Sequence, residues 1–167
     1  MNESFDASWL RLREPFDHAA CSKRLVNQLL ALLPARPHLL DLGAGTGSLF
    51  RLLAPMIGRA QAWMFVDADE DLLGEAFNAT AEWGEEQGWT VTWPGRALLL
   101  HTPGGAWRIE GLVADLANAP SGLPLTHTDA VVCSALLDLV SEAWLRRITS
   151  ALRAPFFACL TIDGRDR

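Results

Sequence analysis

An apolar run that meets an acid and then three alternate glycines, Leu39-Leu-Asp-Leu-Gly-Ala-Gly-Thr-Gly-Ser-Leu49, leaves this chain few folds to choose from. Leu39, Leu40 and Leu42 suit a strand buried on both faces, and Gly43, Gly45 and Gly47 let the backbone turn sharply and leave room for a ligand. Thr46 or Ser48 would cap the helix that follows, whose first N–H groups carry the positive end of its dipole. Strand, tight turn and helix start make a site for a nucleotide-like or carboxylate-bearing ligand.

The rest of the chain repeats that alternation. Residues 1–16, with Trp9, Arg11, Arg13 and Pro15, show no period and read as an N-terminal arm or short helix. From Asp17 to Leu33 the apolar positions Ala20, Cys21, Leu25, Leu29 and Leu32 mark a helical face, capped by Asp17 and ended by Pro34. Leu49, Leu52, Leu53 and Met56 mark a second helix stopping near Gly58, and Ala62–Val66 is a second buried strand closed by Asp67. Asp69 to Gly88 reads as an acidic amphipathic helix, with Asp69 or Asp71 at its start. Between 89 and 107 short strand-like pieces broken by Pro94-Gly95 and Pro103-Gly104-Gly105 predict a hairpin-like insert leading into a third sheet strand, which ends at Asp115. Asp129–Ser134 is a fourth strand, Ser141–Leu152 a helix and Pro155–Ile162 a fifth strand. Strands alternating with helices imply an α/β fold, a Rossmann-like three-layer αβα sandwich on a mostly parallel sheet, filling residues 17–167 as one domain.

Charge and cysteine usage narrow the partners. A formal charge of −6 over 167 residues disfavours a general nucleic-acid binder, which needs a basic face. No apolar run approaches the ~20 residues that cross a bilayer, and no leader is evident, so a soluble, cytoplasmic protein is expected. Cys21, Cys133 and Cys159 have no metal-like spacing and read as small core residues in a reduced setting. His18, His38, His101 and His127 are scattered, giving no metal site, and no G-x-S-x-G occurs. Seven tryptophans with no tyrosine have no explanation at this level.

In an open sheet of this kind ligands sit beyond the C-terminal ends of the strands, near the point where strand order reverses. The polar residues at those ends are the glycine turn, Asp67, Asp115, Ser134 with Asp138 beyond it, and Asp163. Asp67, 20 residues after Gly47, suits a ribose diol, or a helix cap in a β–α turn. Asp115 suits the exocyclic amine of a base with Leu116 on the ring, or a plain turn. Asp41 either orders the glycine loop through its N–H groups on the ligand side or is a satisfied buried carboxylate.

Asp41-Leu-Gly43-Ala-Gly45-Thr-Gly47, then Phe65-Val-Asp67, Val113-Ala-Asp115-Leu116 and Asp129-Ala-Val-Val-Cys-Ser134, resemble class I S-adenosylmethionine-dependent methyltransferases, motif by motif and in order, over residues 17–163. The arm and Leu160–Arg165 look like a bacterial subgroup of those enzymes. The resemblance implies S-adenosyl-L-methionine as methyl donor, with Asp41, Gly43, Ala44, Gly45, Thr46 and Gly47 near the methionine moiety and ribose. It puts Asp67 and Ala68 at the ribose, Asp115 and Leu116 at the adenine and Ser134 near the sulfonium. A small-molecule acceptor is implied, with Asp138, Asp163 or His18 as candidate bases, each with a structural role as its plainer explanation. Arg13 and Arg165 are candidates to pair with a donor or acceptor carboxylate.

Such enzymes continue past strand five into a helix and two closing strands, whereas here the sequence stops at Asp163-Gly-Arg-Asp-Arg167. Strands six and seven are therefore expected to be missing, and the bare sheet edge predicts a homodimer. Two other readings stay open. One is a non-catalytic domain binding the donor or a nucleotide and acting through a partner. The other is a nicotinamide-dependent oxidoreductase, which Ser48 fits poorly because it stands where the dinucleotide fingerprint has its third glycine.

Overall fold

The computed structural model describes residues 7–134 and 136–159, with only the backbone of residues 7–11 and 138. Strands β1 (His38–Leu42), β2 (Gln61–Asp67) and β6 (Ala130–Ser134) form the parallel centre of a sheet, and their largely apolar runs follow from burial on both faces. Beyond β6 lies β7 (Phe156–Cys159), also parallel, and beyond β2 lies β5 (Gly105–Val113). The insert supplies β3 (Thr90–Thr92) and β4 (Leu98–Thr102), which pair antiparallel and extend the sheet past β5. The order is β3-β4-β5-β2-β1-β6-β7. Among the described residues the sheet thus has seven strands, two of them gained at the edge opposite to the one expected to be short. Whether closing strands follow β7 falls outside the described residues, as do Asp163 and Arg165.

Helices α2 (Lys23–Leu32), α3 (Ser48–Ile57) and α4 (Glu70–Glu86) cover one face, sharing a core with Leu39, Trp63, Phe65, Ile109 and Val132. Helix α5 (Glu142–Ala151) covers the other, where Trp144 and Ile148 pack with Leu40, Leu42, Val66, Val131 and Cys133. Adjacent strand residues alternate between these cores, as the pleat requires. Phe50, fully buried on α3, stands edge-on to Trp63, Phe65, Trp83 and Trp107 with ring centroids 5.2 to 6.1 Å apart. Trp89 closes on Trp83 and Trp107 at 5.4 and 4.9 Å. Four of the seven tryptophans therefore fill the wide layer between the helices and the antiparallel end of the sheet, where large flat rings cover area that short side chains cannot.

Several local expectations change. One helix, α1 (Ala7–Ala20), runs through Asp17, and α2 starts after Ser22, whose side chain accepts the amide of Leu25 at 3.3 Å. Asp17 is thus inside a helix and caps nothing. The buried face of α2 is Val26 and Leu29, while Leu25 and Leu32 are exposed. On α3 the inward side is Leu49, Phe50, Leu53, Ala54 and Ile57, and Met56 is exposed. Asp69 does cap α4, accepting the amides of Asp71 and Leu72. Cys21 and Cys159 are joined in a disulfide across 138 residues, so only Cys133 is a free buried thiol, and the argument from unpaired cysteines to a reduced setting loses its premise. No helix among the described residues is long and apolar enough to cross a membrane.

Candidate functional site

Strand order reverses at β1, which sends the chain to β2 on one side while β6 lies on the other. The glycine loop leaves β1 at that point. Gly43, Gly45 and Gly47 all take positive φ, 66°, 59° and 85°, which side-chain-bearing residues rarely adopt. Gly47 is bound doubly, because a Cβ there would sit 3.1 to 3.3 Å from Thr80, Phe65 and Arg51. It is also the N-cap of α3 and has no side chain to offer, so neither Thr46 nor Ser48 performs the capping expected of it.

The loop is tied to the end of β2. Gly43 and Ala44 donate to the carbonyl of Val66 at 2.8 and 3.0 Å, Gly45 donates to Asp67 Oδ2 at 3.1 Å, and Gly47 donates to the carbonyl of Ala44 at 2.9 Å. Asp67 Oδ1 also accepts the amide of Asp69 at 3.0 Å. Asp67 is therefore the acid that orders the loop, the role expected of Asp41. The sheet register explains the exchange: Asp41 is opposite Phe65 and Val132, inside the strand, whereas Asp67 lies one residue beyond the Leu42–Val66 pair, beside the turn.

Asp41 makes no such contact. It is 1% exposed, and among the described residues neither carboxylate oxygen has a hydrogen-bond partner. Burial, and secondarily the charge of Asp67, raises its carboxyl well above the ordinary value of 3.8. Burial likewise pushes the Cys133 thiol up to about 12, with the Asp41 charge contributing. Asp41 lies at the wall of an open hollow lined also by the loop from Gly43 to Thr46, Ser48 and Leu49. Ser134 at the end of β6 and Arg13 and Asp17 from α1 complete it. Gly47, Asp67, Ala68, Asp115 and Leu116 are not part of this lining. Asp67 borders it through Gly45, and Leu116 Cδ1 comes within 3.8 Å of where a Cβ on Gly43 would be. Ala68 is exposed. Asp115 Oδ1 accepts the amide of Ala117 at 2.9 Å, so the turn-forming role is real for one of its oxygens.

Helix α1 contributes most that the sequence did not announce. Arg51, its guanidinium buried in α3, donates from Nε to both oxygens of Glu14 at 3.0 and 2.9 Å and from NH1 to the carbonyl of Thr46 at 2.7 Å. A second guanidinium nitrogen also meets Glu14. His18 Nε2 is 2.8 Å from the carbonyl of Ser48 and 3.1 Å from its hydroxyl, which holds His18 half-buried at the head of α3. Arg13 and Asp17 pair at 3.1 Å along the hollow. An arginine within Leu49-Phe-Arg-Leu-Leu53 was the legible signal, since a guanidinium on an apolar helix has to find a carboxylate. Of the candidate bases, Asp138 lies in a 3-10 turn, Leu137–Leu139, and Asp163 lies outside the described residues.

No family profile matches the sequence, and no curated protein matches it. Solved structures do. A methyltransferase from Methanococcus maripaludis described as a putative S-adenosyl-L-methionine-dependent enzyme superposes with a TM-score of 0.58 at 14% identity, over 94% of this chain and 66% of that one. A SAM-dependent methyltransferase from Aquifex aeolicus gives 0.53 at 19% identity, over 87% and 68%. The plantazolicin methyltransferase BpumL, solved with SAH, gives 0.52 at 13% identity, over 87% and 47%. The chain thus spans between about half and two-thirds of the length of these proteins. Identities this low speak to architecture, and the architecture agrees with the strand order and the glycine turn: the chain has the class I, Rossmann-like fold of the S-adenosylmethionine-dependent methyltransferases.

Proposed function

We propose that this chain binds S-adenosylmethionine with its amino-acid end in the hollow beside Asp41 and transfers the methyl group to a small-molecule acceptor. The observation that carries this reading is the unpartnered carboxylate of Asp41. A buried carboxylate with neither oxygen bonded is costly unless it keeps a proton or meets a cation, and Asp41 lines the hollow through which a cation would arrive. The donor carries two positive centres, an ammonium and a sulfonium. Asp67 adds negative charge nearby, and Asp17 is balanced by Arg13, whereas a pyrophosphate would need free loop amides. Four of those amides are already spent on Val66, Asp67 and Ala44, which disfavours a nicotinamide dinucleotide.

In this reading Gly43 to Gly47 pass close to the methionine moiety and ribose, and Ser134 is near the sulfonium. Asp67 and Ala68 take the ribose edge, where each Asp67 oxygen keeps a second lone pair for a hydroxyl. Asp115, through the oxygen not used by Ala117, and Leu116 take the adenine. The bound donor supplies a methyl already activated for displacement, so the protein's task is to align it, hold it and keep water out. If the acceptor needs a base, His18 offers Nδ1: the carbonyl of Ser48 can only accept, so Nε2 carries the hydrogen of the neutral ring. The acidic chain supports a small acceptor over a nucleic acid.

A second reading, donor binding without turnover by this chain alone, is favoured by its spanning only 47 to 68% of the superposed methyltransferases. Calorimetric titration with S-adenosylmethionine and S-adenosylhomocysteine separates the cases. Binding of both is expected, and no heat with either on folded protein overturns the proposal. Binding with no labelled methyl passing to any component of a cell extract selects the second reading.

A further inference from the structure

We infer that Trp144 and Arg147, on a helix that contributes nothing to the lining of the hollow, are the positioning residues that set the base preference of the site. The inference rests on the donor reading above and concerns the turn after β5. That turn is a single 3-10 turn, Leu116–Asn118, introduced by Asp115, and an isolated turn of this length cannot satisfy its own carbonyls. Ala119 N returns to Leu116 O at 3.0 Å and Ser121 N to Asn118 O at 3.0 Å. The other donors come from α5. Trp144 Nε1 donates to Leu116 O at 2.6 Å, and Arg147 donates from NH2 to Ala117 O at 3.0 Å and from Nε to Ala119 O at 3.3 Å.

Trp144 and Arg147 are three residues apart and share one face of the helix. The ring of Trp144 is buried in the core under α5, so its N–H is held in direction by packing. The guanidinium of Arg147 is a planar fork that spans two carbonyls at once. Together they hold three carbonyls of the turn at a fixed height over the sheet. That height matters because Leu116 Cδ1 and Leu136 Cδ1 lie 3.8 and 3.6 Å from the Cβ position of Gly43, on the side of the glycine loop. Moving the turn moves Leu116, which would cover a base, and Asp115, whose second oxygen would accept its exocyclic amine. The other end of the turn is fixed by the sheet, since Ala114 N donates to Asp67 O at 3.0 Å. Base preference is therefore set by an α5 contact to the backbone of the turn, and losing that contact should relax discrimination more than it weakens binding as a whole.

The test measures dissociation constants for S-adenosylhomocysteine and for S-inosylhomocysteine, which replaces the exocyclic amine with an oxygen, in the wild type, Trp144→Phe, Arg147→Met and Arg147→Lys, together with Tm. The wild type is expected to prefer the adenine compound at least tenfold. Arg147→Met, which keeps the aliphatic stem at an exposed position, should cut that ratio three- to tenfold with a Tm loss of no more than about 2 °C, and Arg147→Lys should recover part of it. Trp144→Phe should cut the ratio further. A ratio unchanged in Arg147→Met, or a loss of both ligands in equal proportion, overturns the inference while leaving the donor reading intact. A folded wild type that binds neither compound overturns the donor reading and this inference with it.

Discussion

Asp41 and Asp67 are both acids at the mouth of one turn, and their environments give them opposite duties. Asp67 is held by the amides of Gly45 and Asp69 and works as part of the scaffold. Asp41 has no hydrogen-bond partner among the described residues and a carboxyl raised by burial. The folded protein therefore holds this proton more tightly than the unfolded chain does. The charge of Asp41 costs the free protein nothing below its ordinary value of 3.8, and stability declines as pH rises from there through the raised folded value. A cation beside the carboxylate reverses the preference, so within that window donor binding releases a proton and tightens as pH rises. Asp41→Asn, which keeps shape and removes charge, should raise the Tm of the free protein at pH 8 by about 2–6 °C and leave it nearly unchanged near pH 4. The same change should weaken donor binding about ten- to a hundredfold, the worth of a hydrogen bond to a charged group. Thermal melts at the two pH values and calorimetry in two buffers of different ionisation enthalpy check both halves. An Asn variant that binds as tightly as the wild type would remove Asp41 from the site.

At the scale of elements, α1 is where sequence reading fell short, and the reason is physical. β1, β2, β6 and α4 were legible because burial dictates their patterns: continuous apolar runs in strands covered on both faces, an Asp69 cap and a 3.6-residue stripe in the helix. Helix α1 is fastened by polar contacts instead, Glu14 to Arg51 and His18 to Ser48, and these leave no periodic trace in its own sequence. Pro15 inside it weakens the helical signal further. The glycine loop was legible for the same reason as the strands, because only glycine meets its φ values, but which aspartate serves the loop depends on the register of β1 against β2, which leaves Asp41 opposite Phe65 and carries Asp67 two positions further, past the Leu42–Val66 pair. If the Glu14–Arg51 pair fastens α1 over the hollow, Glu14→Gln leaves an uncompensated guanidinium whose side chain is 2% exposed. The expected cost is about 3 kcal/mol, or a Tm lower by roughly 6–12 °C, with donor affinity falling because Arg13 and Asp17 ride on the same helix. Glu14→Asp should recover part of both. The exposed Glu142–Arg146 pair is the control, since Glu142→Gln should shift stability by no more than about 0.5 kcal/mol. Equal effects at the two positions would refute the special standing of α1.

Across the whole molecule, one covalent bond connects what the sheet order keeps apart. Cys21 lies at the corner between α1 and α2, and Cys159 ends β7, in register with Ser134 of the hollow. Spacing could not reveal this pair, because 138 residues intervene and the two sulfurs meet only after every strand crossing between them is made. Closing so long a loop restricts the unfolded chain, and in the loop-entropy account the bond is worth about 3–5 kcal/mol. Cys21→Ser, or reduction, should therefore lower Tm by roughly 6–20 °C at 2–4 °C per kcal/mol. The fall should be accompanied by weaker donor binding, since the bond anchors the corner from which α1 reaches the hollow. Thiol titration gives the direct check: the denatured, unreduced protein should offer one reactive thiol, Cys133, and three after reduction. Peptides containing Cys21 and Cys159 should co-migrate until a reductant is added. Three thiols before reduction would show that the two cysteines pack without bonding, and the stability of the α1 corner would then rest on Glu14, Arg51 and His18 alone.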